Sequence, residues 1–117
     1  MDKRKIGAIY EKIARTYIEE QEATVCTCNY HCRFGEIDLI VYDEGYLVFV
    51  EVKYRKNHKV GYAQEAVDDK KQKVISKVAS YYCISHKIPS DQGIRFDVIG
   101  ITGDDIEWIK NAFDYVQ

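Results

Sequence analysis

Asp38 is followed thirteen residues later by Glu51-Val52-Lys53, two carboxylates and an ammonium set among apolar residues. Glu51 and Lys53 close the run Tyr46-Leu47-Val48-Phe49-Val50-Glu51-Val52-Lys53, whose β-branched and aromatic character reads as a strand buried on both faces. Charge in such a strand requires a reason. Alternation puts Phe49, Glu51 and Lys53 on one face and Val48, Val50 and Val52 on the other, so the charged pair emerges near the strand's C-terminal end. On the preceding strand Glu36, Asp38 and Ile40 are expected to share a face, which brings Asp38 to Glu51 if the register allows.

Two carboxylates about 5 Å apart repel by roughly 3 kcal/mol at an effective dielectric of about 20, and a cation must offset that. Oxygen ligands from Asp38, Glu51 and the backbone carbonyl of Val52 suit Mg²⁺ or Mn²⁺. Lys53 would then stand beside the attacking water, orient it or help deprotonate it, and stabilise charge on a pentacoordinate phosphate. The competing reading is an ion-pair cluster at a sheet edge.

The elements that must position these groups follow from periodicity. Ile6, Ile9, Tyr10, Ile13 and Tyr17 recur at helical spacing and predict a first helix over 6–18 with those residues as its buried stripe. The row Gly7, Glu11, Ala14, Ile18 runs along its edge, which sets Glu11 at the rim of the buried face. Strands are expected over 24–31 and 36–42, and Asp43-Glu44-Gly45 joins the second to the strand starting at Tyr46 as a hairpin. Residues 56–62, with Asn57 and Gly61, read as a loop. A second helix, capped by Asp68 or Asp69, runs to about Ile84 on a stripe of Val74, Ile75, Val78, Ala79 and Tyr82. A strand over 94–101 and a short one over 106–109 complete the order. The expected class is an α/β sandwich: helix, three-strand antiparallel meander, helix, strand, and a short C-terminal strand.

With 117 residues and a single proline the chain is most economically one domain, 1–117. Its formal charge of -2 does not announce a nucleic-acid binder by its sum. Its distribution does more. Lys53, Arg55, Lys56, Lys59, Lys70, Lys71, Lys73 and Lys77 make the middle third locally positive, while the segment after Ser90 is acidic. Arg33, Arg55, Lys56, Lys70, Lys71 and Lys73 are therefore candidates for phosphate contacts, set against a plain solvated face. Gln64 is a candidate for reaching a base or the attacking water.

Glu36 reads as a second ligand, a turn cap or a partner of Arg33. Asp97 interrupts an apolar strand, and a salt bridge with Arg95 or Arg33 is the favoured role. Cys26, Cys28, His31 and Cys32 lack the usual spacing of a zinc site, so small buried hydrophobes are the expectation. His58 and His86 receive no role. No run of apolar residues is long enough for a membrane span, the N-terminus lacks a signal-peptide core, and four free thiols suit a reducing cytoplasm.

Asp38 with Glu51-Val52-Lys53 resembles the PD-(D/E)xK motif of restriction-endonuclease-like nucleases, with Ile37 in place of the proline. The longer segments Cys32-Arg33-Phe34-Gly35-Glu36-Ile37-Asp38-Leu39-Ile40, Val48-Phe49-Val50-Glu51-Val52-Lys53-Tyr54-Arg55, Ala66-Val67, Lys71-Gln72 and Arg95-Phe96-Asp97-Val98 resemble the bacterial YraN-type family over nearly the whole chain. That family is similar in turn to archaeal Holliday junction resolvases, homodimeric metal-dependent nucleases with a glutamate on the first helix. By position Glu11 matches that glutamate, four residues after Gly7. Tyr10 stands where the family often has a second glycine.

The resemblance implies a restriction-endonuclease-like sandwich. It further implies Mg²⁺- or Mn²⁺-dependent phosphodiester hydrolysis in branched or structured DNA, and a possible homodimer. Glu11, Asp38, Glu51 and Lys53 are the implied catalytic set, with Asp38, Glu51, Val52 and Glu11 around the metal. The alternatives are a catalytically weak or inactive nucleic-acid-binding module of the same fold, and an RNA-directed nuclease.

Overall fold

A computed structural model describes residues 2–55 and 67–117 of the chain. The expected loop over 56–62, and with it Lys56 and Gln64, lies outside the described residues. The elements are α1 (Lys3–Glu20), β1 (Thr24–Cys32), β2 (Gly35–Asp43), β3 (Tyr46–Arg55), α2 (Asp69–Ser85), β4 (Ile94–Thr102) and β5 (Asp105–Phe113). The strands form one sheet in the order β1-β2-β3-β4-β5. β3 and β4 are parallel and the other neighbouring pairs antiparallel, so α2 belongs to the crossover that a parallel pair needs.

Strand alternation sends apolar side chains to both faces, and one helix covers each. Leu47, Phe49, Phe96 and Val98 pack with Ile75, Val78, Ala79 and Tyr82 of α2. Val41, Val48, Val50, Ile99 and Ile101 pack with Ala14 and Ile18 of α1. A five-stranded sheet between two helices is the mixed α/β sandwich that the sequence predicts, compatible with the restriction-endonuclease-like class.

Local chemistry explains most boundaries. Asp2 caps α1 by accepting from the Arg4 amide, and Asp68 caps α2 by accepting from the Lys71 amide. The β2–β3 hairpin turns on Glu44 and Gly45, with φ of 53° and 86°. Both turn residues are left-handed, the backbone that matches the twist of a two-residue hairpin. Gly35 is a close approach: a Cβ there would lie 2.7 Å from a Val74 methyl of α2.

Three expectations need correction. Ile9 and Ile13 of α1 are exposed, and the helix instead turns Ala14 and Ile18, with Tyr10 and Tyr17 partly buried, onto the sheet. The small Ala14 side chain, fully buried, lets the helix axis come near the strands. The alternation of β2 breaks at Asp38: Ile37 packs on the α2 side and Leu39 on the α1 side, so Asp38 does not share a face with Ile40. β5 has nine residues instead of four, because Ala112 and Phe113 also pack on the α2-side core and Phe113 stacks on Phe96 at 5.2 Å.

Candidate active site

The break at Asp38 creates the site. The β2–β3 ladder runs in register up to Leu39 opposite Val50. Beyond it the Val52 amide donates to the Asp38 carboxylate at 2.8 Å, so a side chain takes up a ladder donor. The strands part where Asp38 and Glu51 lie. Aspartate suits the position because its short carboxylate reaches a backbone N–H while its own backbone stays extended.

Asp38 and Glu11 line one cleft of about 440 Å³ on the α1 side, with Gly7, Tyr10, Asn29, Glu36, Val52 and Tyr54 among its walls. Glu11 is brought there by α1 and shares a side-chain hydrogen bond with Asp38. Asn29, left-handed with φ 52°, directs its amide nitrogen to Glu11. Gly7 is not a point of close approach, since a Cβ there would meet nothing within 4 Å. Glu51 lies on the other face, only 4% exposed, with Lys71 Nζ at 3.6 Å from its Oε2.

Among the described residues, burial and mutual repulsion of these carboxylates outweigh the positive charge near them. Burial, then the charges of Asp38 and Glu36, push Glu11 up to about 7, although Asn29 pulls the other way. Burial and the charge of Asp38 push Glu51 up to about 7, against the opposing pull of Lys71, Lys53 and the Asp38 amide. Asp38 is raised as well by burial, which outweighs the Val52 amide, the hydrogen bond from Glu11 and the charge of Lys71. Crowding thus favours the protonated form of each of these carboxyls.

Asp38 thus stands between Glu11, which shares its cleft, and Glu51, on which Lys53 acts by its charge. Among the described residues no three His, Cys, Asp or Glu side chains converge tightly enough to hold an ion. The donor set is nevertheless hard oxygen throughout: three carboxylates and the Val52 carbonyl at the same strand end. That chemistry fits Mg²⁺ or Mn²⁺.

The remaining candidates divide. Lys71, expected as a phosphate contact, turns from α2 onto Glu51. Lys70 and Lys73 flank a surface depression with Asp69 and Val116, away from the carboxylates. Arg33 sits over the ring of Phe34, which meets Tyr81 of α2, at the tip of the β1–β2 hairpin. Arg55 ends β3, where its carbonyl accepts from the Gly103 amide.

Glu36 lines the cleft, and its partner is His31 at 3.1 Å instead of Arg33. Asp97 does pair with Arg95, and it also accepts from Trp108 Nε1 and the Asn111 amide. Those last two partners come from β5, whose length the sequence reading missed. Cys26 is exposed, and Cys28 and Cys32 are half-buried, so these thiols are less enclosed than expected.

Residues 10–101 match the uncharacterised protein family UPF0102. A UPF0102 protein of Lachnoclostridium phytofermentans is 43% identical over 114 residues, covering 97% of each chain. One of Legionella pneumophila is 46% identical over 111 residues, covering 92% of this chain and 93% of its own. One of Fusobacterium nucleatum is 42% identical over 111 residues, covering 95% and 92%. The matched span contains Glu11, Asp38, Glu51 and Lys53.

Proposed function

The chain belongs to UPF0102, the YraN-type family, and from that premise we propose that it is a metal-dependent endonuclease that hydrolyses phosphodiester bonds in DNA. The observation that carries this reading is that Asp38 meets two further carboxylates, Glu11 in its cleft and Glu51 at a strand end that also bears Lys53, and both of these are raised to about 7. A fold keeps such repulsion where a cation is meant to relieve it.

In this reading Asp38, Glu51, Glu11 and the Val52 carbonyl hold Mg²⁺ or Mn²⁺. The ion supplies positive charge for the scissile phosphate and lowers the pKa of water. Lys53 positions the attacking water and stabilises charge on the phosphate oxygens. Asp38 is fixed by the Val52 amide, which holds its carboxylate at the strand end whether or not an ion is present. Lys71, already beside Glu51, would be free to meet a phosphate oxygen if Glu51 held an ion.

Branched or otherwise structured DNA is the substrate class this reading favours, acted on in the cytoplasm, and a homodimer would let two such sites span a junction. Among the described residues no helix is long and apolar enough to cross a membrane. One observation favours a second reading, a nucleic-acid-binding module with little hydrolysis: Lys71 already pairs with Glu51.

Cleavage of labelled four-way junction, duplex, single-stranded DNA and structured RNA by wild type and Glu51→Ala, in Mg²⁺, Mn²⁺ and EDTA, separates the two. Metal-dependent cutting that vanishes in Glu51→Ala is expected, with the junction cut best. Binding of DNA with no cutting in either metal would instead support the module.

A further inference from the structure

Tyr10 and Tyr54 stack with ring centroids 4.2 Å apart and planes within 6° of parallel, and both line the cleft that holds Glu11 and Asp38. Their situations differ. Tyr10, on α1, packs against the core of that face, whereas Tyr54, three residues past Glu51 on β3, is 43% exposed. One ring is anchored and holds the other flat.

An exposed tyrosine at a strand end ordinarily loses little by changing rotamer. Here a change would forfeit the stack, so the ring is fixed before anything binds. Beside it the wall is open, because a Cβ on Gly7 would meet nothing within 4 Å. The cleft is also lined by Glu11, Glu36 and Asp38, with Arg4 and His31 beside them. Three carboxylates against one arginine disfavour a bare phosphate there more than a flat uncharged ring.

We propose that Tyr54, backed by Tyr10, is a stacking platform for one unpaired nucleobase next to the scissile phosphate. The inference rests on the nuclease reading and narrows its substrate class to strands that offer an unstacked base, such as single strands and the unpaired nucleotides of a branch point. Within continuous duplex both faces of every base are covered by neighbours, so the platform has nothing to take. Recognition by stacking tolerates any sequence, because every base presents a π face.

The stack could serve only to clasp α1 to β3, and the experiment distinguishes that role. Binding of an oligothymidylate and of a wholly abasic oligomer of equal length is measured by fluorescence anisotropy in Ca²⁺, for wild type, Tyr54→Phe and Tyr54→Leu. Thermal unfolding of each variant runs in parallel. The two oligomers carry the same backbone charge, so their difference isolates the bases. Wild type and Tyr54→Phe are expected to prefer the oligothymidylate by about tenfold, and Tyr54→Leu to bind both equally with its duplex affinity unchanged.

Equal binding of both oligomers by wild type overturns the inference without reference to any variant's folding. A preference that survives in Tyr54→Leu also overturns it. If either result comes with intact metal-dependent cutting, the nuclease reading stands and only the platform falls. Failure to bind any DNA overturns both.

Discussion

Asp97 is fully buried and Glu51 nearly so, yet the fold treats the two carboxylates in opposite ways. Asp97 accepts from Arg95, from Trp108 Nε1 and from the Asn111 amide, and Arg95 also reaches Asp43 at 2.7 Å, where Lys110 adds a second cation at 3.0 Å. Burial alone would raise Asp43, but hydrogen bonds and charge from Arg95 and Lys110 hold it below the usual carboxylate range. Burial opposes the charge of Arg95 too, and its bonds to Asp97 and Asp43 push it up regardless. That network is complete in itself. Asp38 instead meets Glu11 on one side and Glu51 on the other, and Lys71, itself 38% exposed, pairs with Glu51. The two charge clusters on one sheet, one buried and one partly open to the cleft, therefore teach that the acidic crowding is not a general tolerance of the fold. It is local, and it sits where β2 and β3 part.

The largest effect should come from breaking the balanced cluster. Arg95→Met leaves Asp43 and Asp97 buried without their main cation, and a loss of about 3–5 kcal/mol is expected in urea unfolding. The same measurement on Glu51→Gln should move the other way. In EDTA at pH 8 this variant removes a buried negative charge that the fold disfavours, so a gain of roughly 1–3 kcal/mol is expected while cutting is lost. A destabilised Glu51→Gln would show that the carboxylate is there for stability.

The pH dependence follows with its sign. Glu51 rises from 4.5 to about 7 on folding, so between these values the folded state holds more protons than the unfolded one. Wild-type stability in EDTA should fall as pH rises through that window and then level off, and Mg²⁺ should restore the loss at the alkaline end. Asp43 acts in the opposite sense, because its folded pKa lies below 3.8, and the stability it contributes disappears only as pH falls through that lower value. Thermal unfolding followed from about pH 2 to pH 9 reads both. The smallest effect belongs to Lys71→Met, which removes a partly exposed lysine from its pair with buried Glu51, at a cost of about 0–1 kcal/mol, but should move the falling window to higher pH.

Much of this was legible in the sequence because it depends on patterns with one solution. The apolar run ending at Lys53 allows only a buried strand, Glu44-Gly45 suits a two-residue turn, and the stripe from Val74 to Tyr82 faces the sheet. Asp97 with Arg95 was readable as an ion pair because a charge inside an apolar strand needs a nearby partner. The orientation of α1 was not legible. Two rows at helical spacing compete, and bulk favours Ile9 and Ile13, whereas close approach to the sheet selects Ala14 and Ile18.

The break at Asp38 also escaped, since alternation is a property of regular backbone and the site exists because the backbone there is irregular. β5 was read short for a related reason: Asn111, with φ 55°, interrupts its alternation, and the register shifts between Phe96 and Val98. Helical spacing does separate Lys71, in line with Ile75, Val78 and Tyr82, from the row of Lys70, Lys73 and Lys77, but that it reaches Glu51 is decided by tertiary packing.

The central claim is that the unbalanced carboxylates form a divalent metal site, and calorimetric titration of Mn²⁺ into wild type and Asp38→Asn at pH 8 and pH 6 tests it most directly. The account predicts saturable binding at pH 8, weaker binding at pH 6 where protons occupy Glu11 and Glu51, and none in Asp38→Asn. Absence of saturable binding at either pH, or binding unchanged in the variant, would contradict it.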